Sequence, residues 1–257
     1  FDRALEEGVR VSFDQYPYDA SSTTLALLLP GWAMEGGWEG FRHRVEDPAV
    51  RRDILTAIKE SIDNRGGAAS IRIASVQVGA GKALAGKDIG TIAAAWRVSP
   101  ADAVYRILWE ARLGVIAIYH AMSSRDVELA MRHRLHSVGS DGVLGDHPHP
   151  RAYGTFPRVI GRFHAAKGLF PLEEAIRKMT SWPAKIMGIS NRGVLAEGRF
   201  ADLVIFDPKE FIDRADYDRP TQAPAGLDWV FINGEPALKE GQPLDAVFSG
   251  RVLVPGA

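Results

Sequence analysis

Residues 137–161 read "SVGSDGVLGDHPHPRAYGTFPRVIG", and this stretch decides how the remainder of the chain is understood. An apolar, strand-like lead runs into Ser-Asp-Gly, and the loop behind it holds Asp146, His147, His149 and Arg151. A surface turn accounts for Asp141-Gly142, with glycine read as the residue that lets the chain turn sharply. It does not account for imidazoles, prolines and a guanidinium crowded behind one acid.

Working outward, strands and helices alternate. "FDRALEEG" ends a helix at Gly8, and "VRVSFDQYP" (9–17) alternates apolar and polar residues as a strand does. A Ser/Thr- and Gly-rich loop with Trp32 and Trp38 follows. Asp47-Pro48 opens a helix through about Asn64, because Asp caps and Pro fits the first turn. "SIRIASVQV" (70–78) and "GVIAIYH" (114–120) read as strands, with a helix from Ser99 to Ala111 between them. A helix over Ser123–His133 leads to the strand "LHSVGS" (135–140), which delivers Asp141. Helices are predicted at about 155–166 and 171–181. From Gly193 the texture changes to short strands: "GVLAEG", "ADLVIFDP", "DWVFINGE" and "RVLVPG". The charges of "DRADYDRP" (213–220) are read as solvated.

The expected fold class is α/β. Residues 1–192 form the later strands and helices of a TIM-like (β/α)8 barrel, and residues 193–257 form strands of a small β domain. Barrel chemistry sits at the C-terminal ends of strands, where Asp14, Tyr119, His120 and Asp141 fall on this reading.

Composition removes several classes of partner. The 31 basic residues nearly balance the 32 acidic ones, so no surface for nucleic acid or membrane is expected. There is no cysteine, which excludes disulfides and thiolate ligands within the chain. The apolar run Leu25–Leu29 stops at Pro30, too short for a bilayer, and no signal segment is seen, so a cytoplasmic location is expected. The chain starts with Phe inside a helix-like segment, from which a missing natural beginning is expected.

The segments "DQYPYDASST", "AIYHAMSSRDVELAMRH", "GSDG", "HPHPRAYGTFPRVIGRF", "LEEAIRKMTSWPAKIMGI" and "RGVLAEGRFADLVIFDP" occur here in an order that resembles the N-acyl-D-amino-acid deacylases, or D-aminoacylases, of the amidohydrolase superfamily. The last segment is superfamily-wide, whereas "DQYPY" and "HPHPRAYGTFPR" point to the deacylase branch. The resemblance implies a zinc-dependent barrel that hydrolyses the amide of an N-acyl-D-amino acid. Asp141 matches the carboxylate that serves as general base and acid at the metal and would be one ligand to it, with the other ligands expected upstream of this chain. Arg151 matches the arginine that receives the substrate carboxylate. Tyr119 and Met122 resemble the pocket for the substrate side chain, and Tyr16 and Ser22 match positions that approach the substrate. For Arg151 the bland alternative is a pair with Asp146 or a cap on a loop carbonyl. For Tyr119 and Met122 it is core packing. His147, His149 and Asp14 are read as ordering their loops rather than binding metal. His120 stands where the family has an apolar residue.

The family's zinc ligands come from an early His-x-His strand, a bridging position and two later histidines, and a lysine precedes the "DQYPY" strand. None of these is among the residues of this chain, whose seven histidines form no such strand-end pair. The reading is therefore the C-terminal portion of such an enzyme, inactive alone and in need of an N-terminal half or partner chain. It would carry β strands that lack their N-terminal neighbours. Two alternatives stand beside it: a dihydroorotase- or hydantoinase-like hydrolase of cyclic amides, and a non-catalytic remnant or interaction subunit.

Overall fold

The structure is a computed structural model and describes residues 1–78, 83–245 and 248–254. In chain order the regular elements are α1 (Asp2–Glu6), β1 (Phe13–Gln15), β2 (Ser21–Thr24), α2 (Gly37–Arg44), α3 (Pro48–Asp63), β3 (Ile71–Val76), α4 (Ile89–Trp96), α5 (Pro100–Glu110), β4 (Val115–Tyr119), α6 (Ser124–Arg132), β5 (His136–Val138) and α7 (Arg151–Arg158). They continue with α8 (Leu172–Met179), α9 (Ser181–Ile186), β6 (Leu203–Phe206), β7 (Leu227–Ile232), β8 (Glu235–Lys239) and β9 (Gln242–Pro243).

Packing divides the chain into two units, Phe1–Tyr18 with Ser124–Gly142 and Pro150–Ala257, and Asp19–Ser123 with Val143–His149.

The second unit owes its helices to signals legible in the sequence. The Asp47 carboxylate accepts the Ala49 N–H at 2.7 Å, Pro48 occupies the first turn, and Ile54, Ile58 and Ile62 line the buried face of α3 at four-residue spacing. At α5 the Ser99 hydroxyl accepts the Asp102 N–H at 3.1 Å. These helices pack on a three-stranded sheet of order β2-β4-β3. Both pairings are antiparallel, with Ser22 opposite Ile118 and Ile73 opposite Ala117. Residues 71–76 and 115–119 are strands as expected, but they pair antiparallel rather than in the parallel order of a barrel wall. Apolar runs separated by helices look alike whether the strands later align parallel or antiparallel. The loop expected around Trp32 and Trp38 instead contains β2, two short 3-10 turns and α2, and Trp38 meets Trp109 edge-on at 5.2 Å.

In the first unit β1 and β5 pair in parallel, with Phe13 opposite His136, Asp14 opposite Ser137 and Gln15 opposite Val138. Helix α7 starts at Arg151, earlier than expected, and continues as a π-helical segment Val159–Ala166. Val159, Ile160 and Phe163 of that segment join Val127 and Met131 of α6 in a second apolar core. The tail forms a four-stranded antiparallel sheet of order β6-β7-β8-β9. The segment 193–198, expected as a strand, is turn and coil, and of the expected strand 251–256 residues 251–254 are not in a strand while 255 and 256 lie outside the described residues.

Candidate functional site

Two strand ends and one helix start meet in the first unit. Strand β1 ends at Gln15 and places Tyr16 next; β5 ends at Val138 and is followed within three residues by Asp141. The chain returns from the loop at Pro150, and Arg151 opens α7.

Arg151 Nη2 lies 2.7 Å from Asp141 Oδ2, with the arginine side chain only 2% exposed and that of the aspartate 66%. The guanidinium carbon sits 4.4 Å from the centre of the Tyr16 ring. Burial holds the Tyr16 phenol above the ordinary tyrosine range, against the pull of the Arg151 cation, while the Asp141 charge pushes with burial. Asp141, Arg151 and Tyr16 are thus brought together, with Arg151 paired to Asp141.

The turn behind the acid differs from the expected one. Asp141 itself takes the left-handed conformation, with φ 45°. Asp tolerates this region because its short polar side chain bonds locally. Gly142 serves close approach instead. A Cβ there would stand 3.0 Å from the Ala152 Cα, so its absence lets the start of α7 come near the loop. Gly139 likewise makes room for the Asp14 carboxylate, with which a Cβ would collide. Asp14 is itself exposed on β1.

The loop histidines are both bound to backbone carbonyls of the second unit. His149 is buried, and its Nε2 donates to the Ala20 carbonyl at 3.0 Å, which fixes the tautomer, since a carbonyl only accepts. The His147 N–H donates to the Ala74 carbonyl at 3.0 Å, and its ring lies against Gly86.

The other anticipated residues belong to the second unit. Tyr119 is 2% exposed in its core, and its hydroxyl donates to the Thr24 carbonyl at 2.9 Å. Met122 is exposed, with its N–H donating to the Asp19 carbonyl at 3.2 Å, and Ser22 is half-buried on β2. His120 is held below the usual histidine range by desolvation and by the Arg72 cation, with Asp19 opposing.

Sequence reasoning missed a second cluster in the first unit. Arg158 stacks over Tyr18 at 4.4 Å, donates from Nε to the Pro17 carbonyl at 2.7 Å, and pairs through Nη1 with Asp213 at 2.9 Å. Arg162 pairs with the other Asp213 oxygen at 2.6 Å. The Asp213 side chain is fully buried, so the reading of 213–220 as solvated is wrong at its first residue. It holds for Asp216, whose partner Arg219 is exposed. The signal was present in Tyr16-Pro17-Tyr18 and in the Arg158-x3-Arg162 spacing, which puts both guanidiniums on one helix face.

Among the described residues no cluster of three or more His, Asp or Glu could hold a metal ion. Asp141 is one carboxylate already engaged by Arg151. The described residues therefore do not fit a zinc site by themselves. No helix among them is long and apolar enough to cross a membrane.

A carboxylate and an arginine beyond the end of a parallel strand pair form an arrangement suited to hydrolases that work at strand ends. Residues 11–238 match the amidohydrolase family, and the chain belongs to it. It is 35% identical over 253 residues to the N-acyl-D-glutamate deacylase of Alcaligenes xylosoxydans xylosoxydans, covering 98% of this chain and 43% of that protein. It is 41% identical over 171 residues to the D-aminoacylase of the same organism, covering 66% of this chain and 34% of that one. The solved N-acyl-D-glutamate deacylase of Bordetella bronchiseptica, complexed with zinc and a phosphonate mimic of the tetrahedral intermediate, superposes with a TM-score of 0.72 at 33% identity. That match covers 94% of this chain and 43% of the other. The chain thus spans less than half the length of these relatives.

Proposed function

We propose that this chain carries the general base and the carboxylate-binding arginine of an enzyme that hydrolyses N-acyl-D-amino acids to a carboxylate and a D-amino acid. The observation that carries the reading is the Arg151–Asp141 contact at 2.7 Å, at a strand end where the relatives are deacylases of D-amino acids. Arg151 already grips a carboxylate, and its planar donors suit the free carboxylate of the substrate. When that carboxylate takes the guanidinium, Asp141 is released to accept a proton from the attacking water. It then delivers that proton to the nitrogen of the leaving amine. Tyr16 lies against the same guanidinium, and its role as a substrate contact belongs to this proposal.

Tyr119 and Met122 as a side-chain pocket, and Ser22 as a substrate contact, rest on the resemblance alone. Burial of Tyr119 weighs towards packing for that residue. The parallel β1–β5 pair, with Tyr16 and Asp141 beyond its C-terminal ends, supports two neighbouring strands of a TIM-like barrel wall, with the division into 1–192 and 193–257 belonging to the same proposal. Zinc, as bound in the solved relative, would need ligands beyond the described residues, and the steps above use only Asp141 and Arg151.

The test is an assay of the enzyme that carries this chain, and of the chain alone with added zinc, on N-acetyl-D-methionine, N-acetyl-L-methionine and dihydroorotate. Turnover of the D-substrate only, and none by the chain alone, is expected. Hydrolysis of dihydroorotate without the D-substrate would replace this reading with the cyclic-amide one.

A further inference from the structure

Helix α7 presents its first and last residues, Arg151 and Arg158, on one face, since seven residues make nearly two turns. Each guanidinium lies 4.4 Å over a tyrosine ring, Arg151 over Tyr16 and Arg158 over Tyr18. These tyrosines flank Pro17, whose carbonyl receives the Arg158 Nε at 2.7 Å. Between the stacks Gly154 lets the helix close on the tyrosine segment: a Cβ there would collide with the Tyr18 hydroxyl and reach 3.1 Å from the Asp213 Cβ. Asp213, fully buried, then fixes Arg158 and Arg162 from the far side. Ion pairs with a desolvated carboxylate hold their geometry because breaking one strands a buried charge.

We propose that Arg158, backed by Asp213, is a positioning residue: it sets the rotation and height of α7 on the segment Tyr16–Tyr18 and so aims Arg151 at the substrate carboxylate. The proposal rests on the reading of Arg151 as the carboxylate clamp. Placement errors of about 1 Å at such a clamp cost on the order of a hundredfold in kcat/KM.

The variants are Arg158→Lys, which keeps a charge for Asp213 but loses the donation to Pro17 and the planar stack, and Tyr18→Leu, which removes the ring. Phe231→Ala, on β7 of the same unit and outside the apolar core that the continuation of α7 joins, serves as a control for lost stability. The first readout is the Arg151 Nε–H resonance of the labelled chain, carried upfield by the Tyr16 ring. It should lose that shift in both test variants and keep it in the control. The second readout is kinetic, in the active enzyme, with a free N-acyl-D-amino acid and its carboxamide. Arg158→Lys should raise KM for the free acid about tenfold to a hundredfold with kcat nearly unchanged. It should spare the carboxamide and add nothing on top of Arg151→Lys. An unmoved Arg151 resonance in Arg158→Lys, or equal losses on both substrates while Arg151→Lys discriminates between them, overturns the proposal. If Arg151→Lys itself fails to discriminate, the clamp reading falls, and the resonance alone decides whether Arg158 positions Arg151.

Discussion

At the scale of single residues the site turns on one guanidinium that touches both an acid and an aromatic face. Arg151→Lys keeps the charge beside Asp141 but loses the planar pair of donors proposed to take the substrate carboxylate. A charge-assisted hydrogen bond is worth roughly 1.5–3 kcal/mol, so kcat/KM for free-acid substrates should fall about tenfold to a hundredfold, mainly through KM. A carboxamide substrate should be a poor one for both forms and distinguish them little. Equal losses on both, with a lower melting temperature, would make Arg151 a loop fastener instead. Asp141 and Arg151 were legible as a pair of polar residues bracketing a histidine loop. What the sequence did not reveal is that Asp141 takes the left-handed conformation itself, with φ 45°, while Gly142 serves close approach. Both Asp and Gly are compatible with a sharp turn, so their order does not say which of them bends. Asp213 was illegible for a related reason, because its burial depends on two arginines 51 and 55 residues away in sequence.

At the scale of elements, capped helices were the most legible parts, since α3 and α5 begin at Asp-Pro and Ser-Pro signals that act over a few residues. Strand direction was not legible. Only pairing distinguishes the parallel β1–β5 from the antiparallel β2-β4-β3, and pairing joins residues far apart in sequence. Helix α7 shows how such long-range contact restricts a local choice. Gly154→Ala would ordinarily favour a helix. Here the new methyl meets the Tyr18 hydroxyl and Asp213, so the variant should lose about 1–3 kcal/mol in denaturant unfolding. A gain in stability would mean that α7 does not rest on the tyrosine segment as described.

Across the whole molecule, stability should carry the mark of His136, which is fully buried at the start of β5. Burial, with the Lys178 cation next in effect, brings its imidazole down to about 4, although Nε2 bonds the Gln15 carbonyl. Between about 4 and the ordinary 6.5 the unfolded chain binds this proton and the folded chain does not. The contribution is therefore intact above 6.5 and is lost as pH falls towards 4, by about 3 kcal/mol in full. Melting temperatures measured across that window should fall with acid, and less steeply in His136→Gln; parallel curves would assign the acid sensitivity elsewhere. Function at this scale rests on a chain that covers less than half of its relatives yet holds Asp141 and Arg151 in contact. The most direct measurement is kcat for N-acetyl-D-methionine in the enzyme carrying Asp141→Asn. Asn also tolerates the left-handed conformation and should leave the fold in place. Loss of the general base predicts a fall of about 10²–10⁴-fold with an unchanged melting temperature, whereas a kcat near that of the unsubstituted enzyme would contradict the assignment of Asp141.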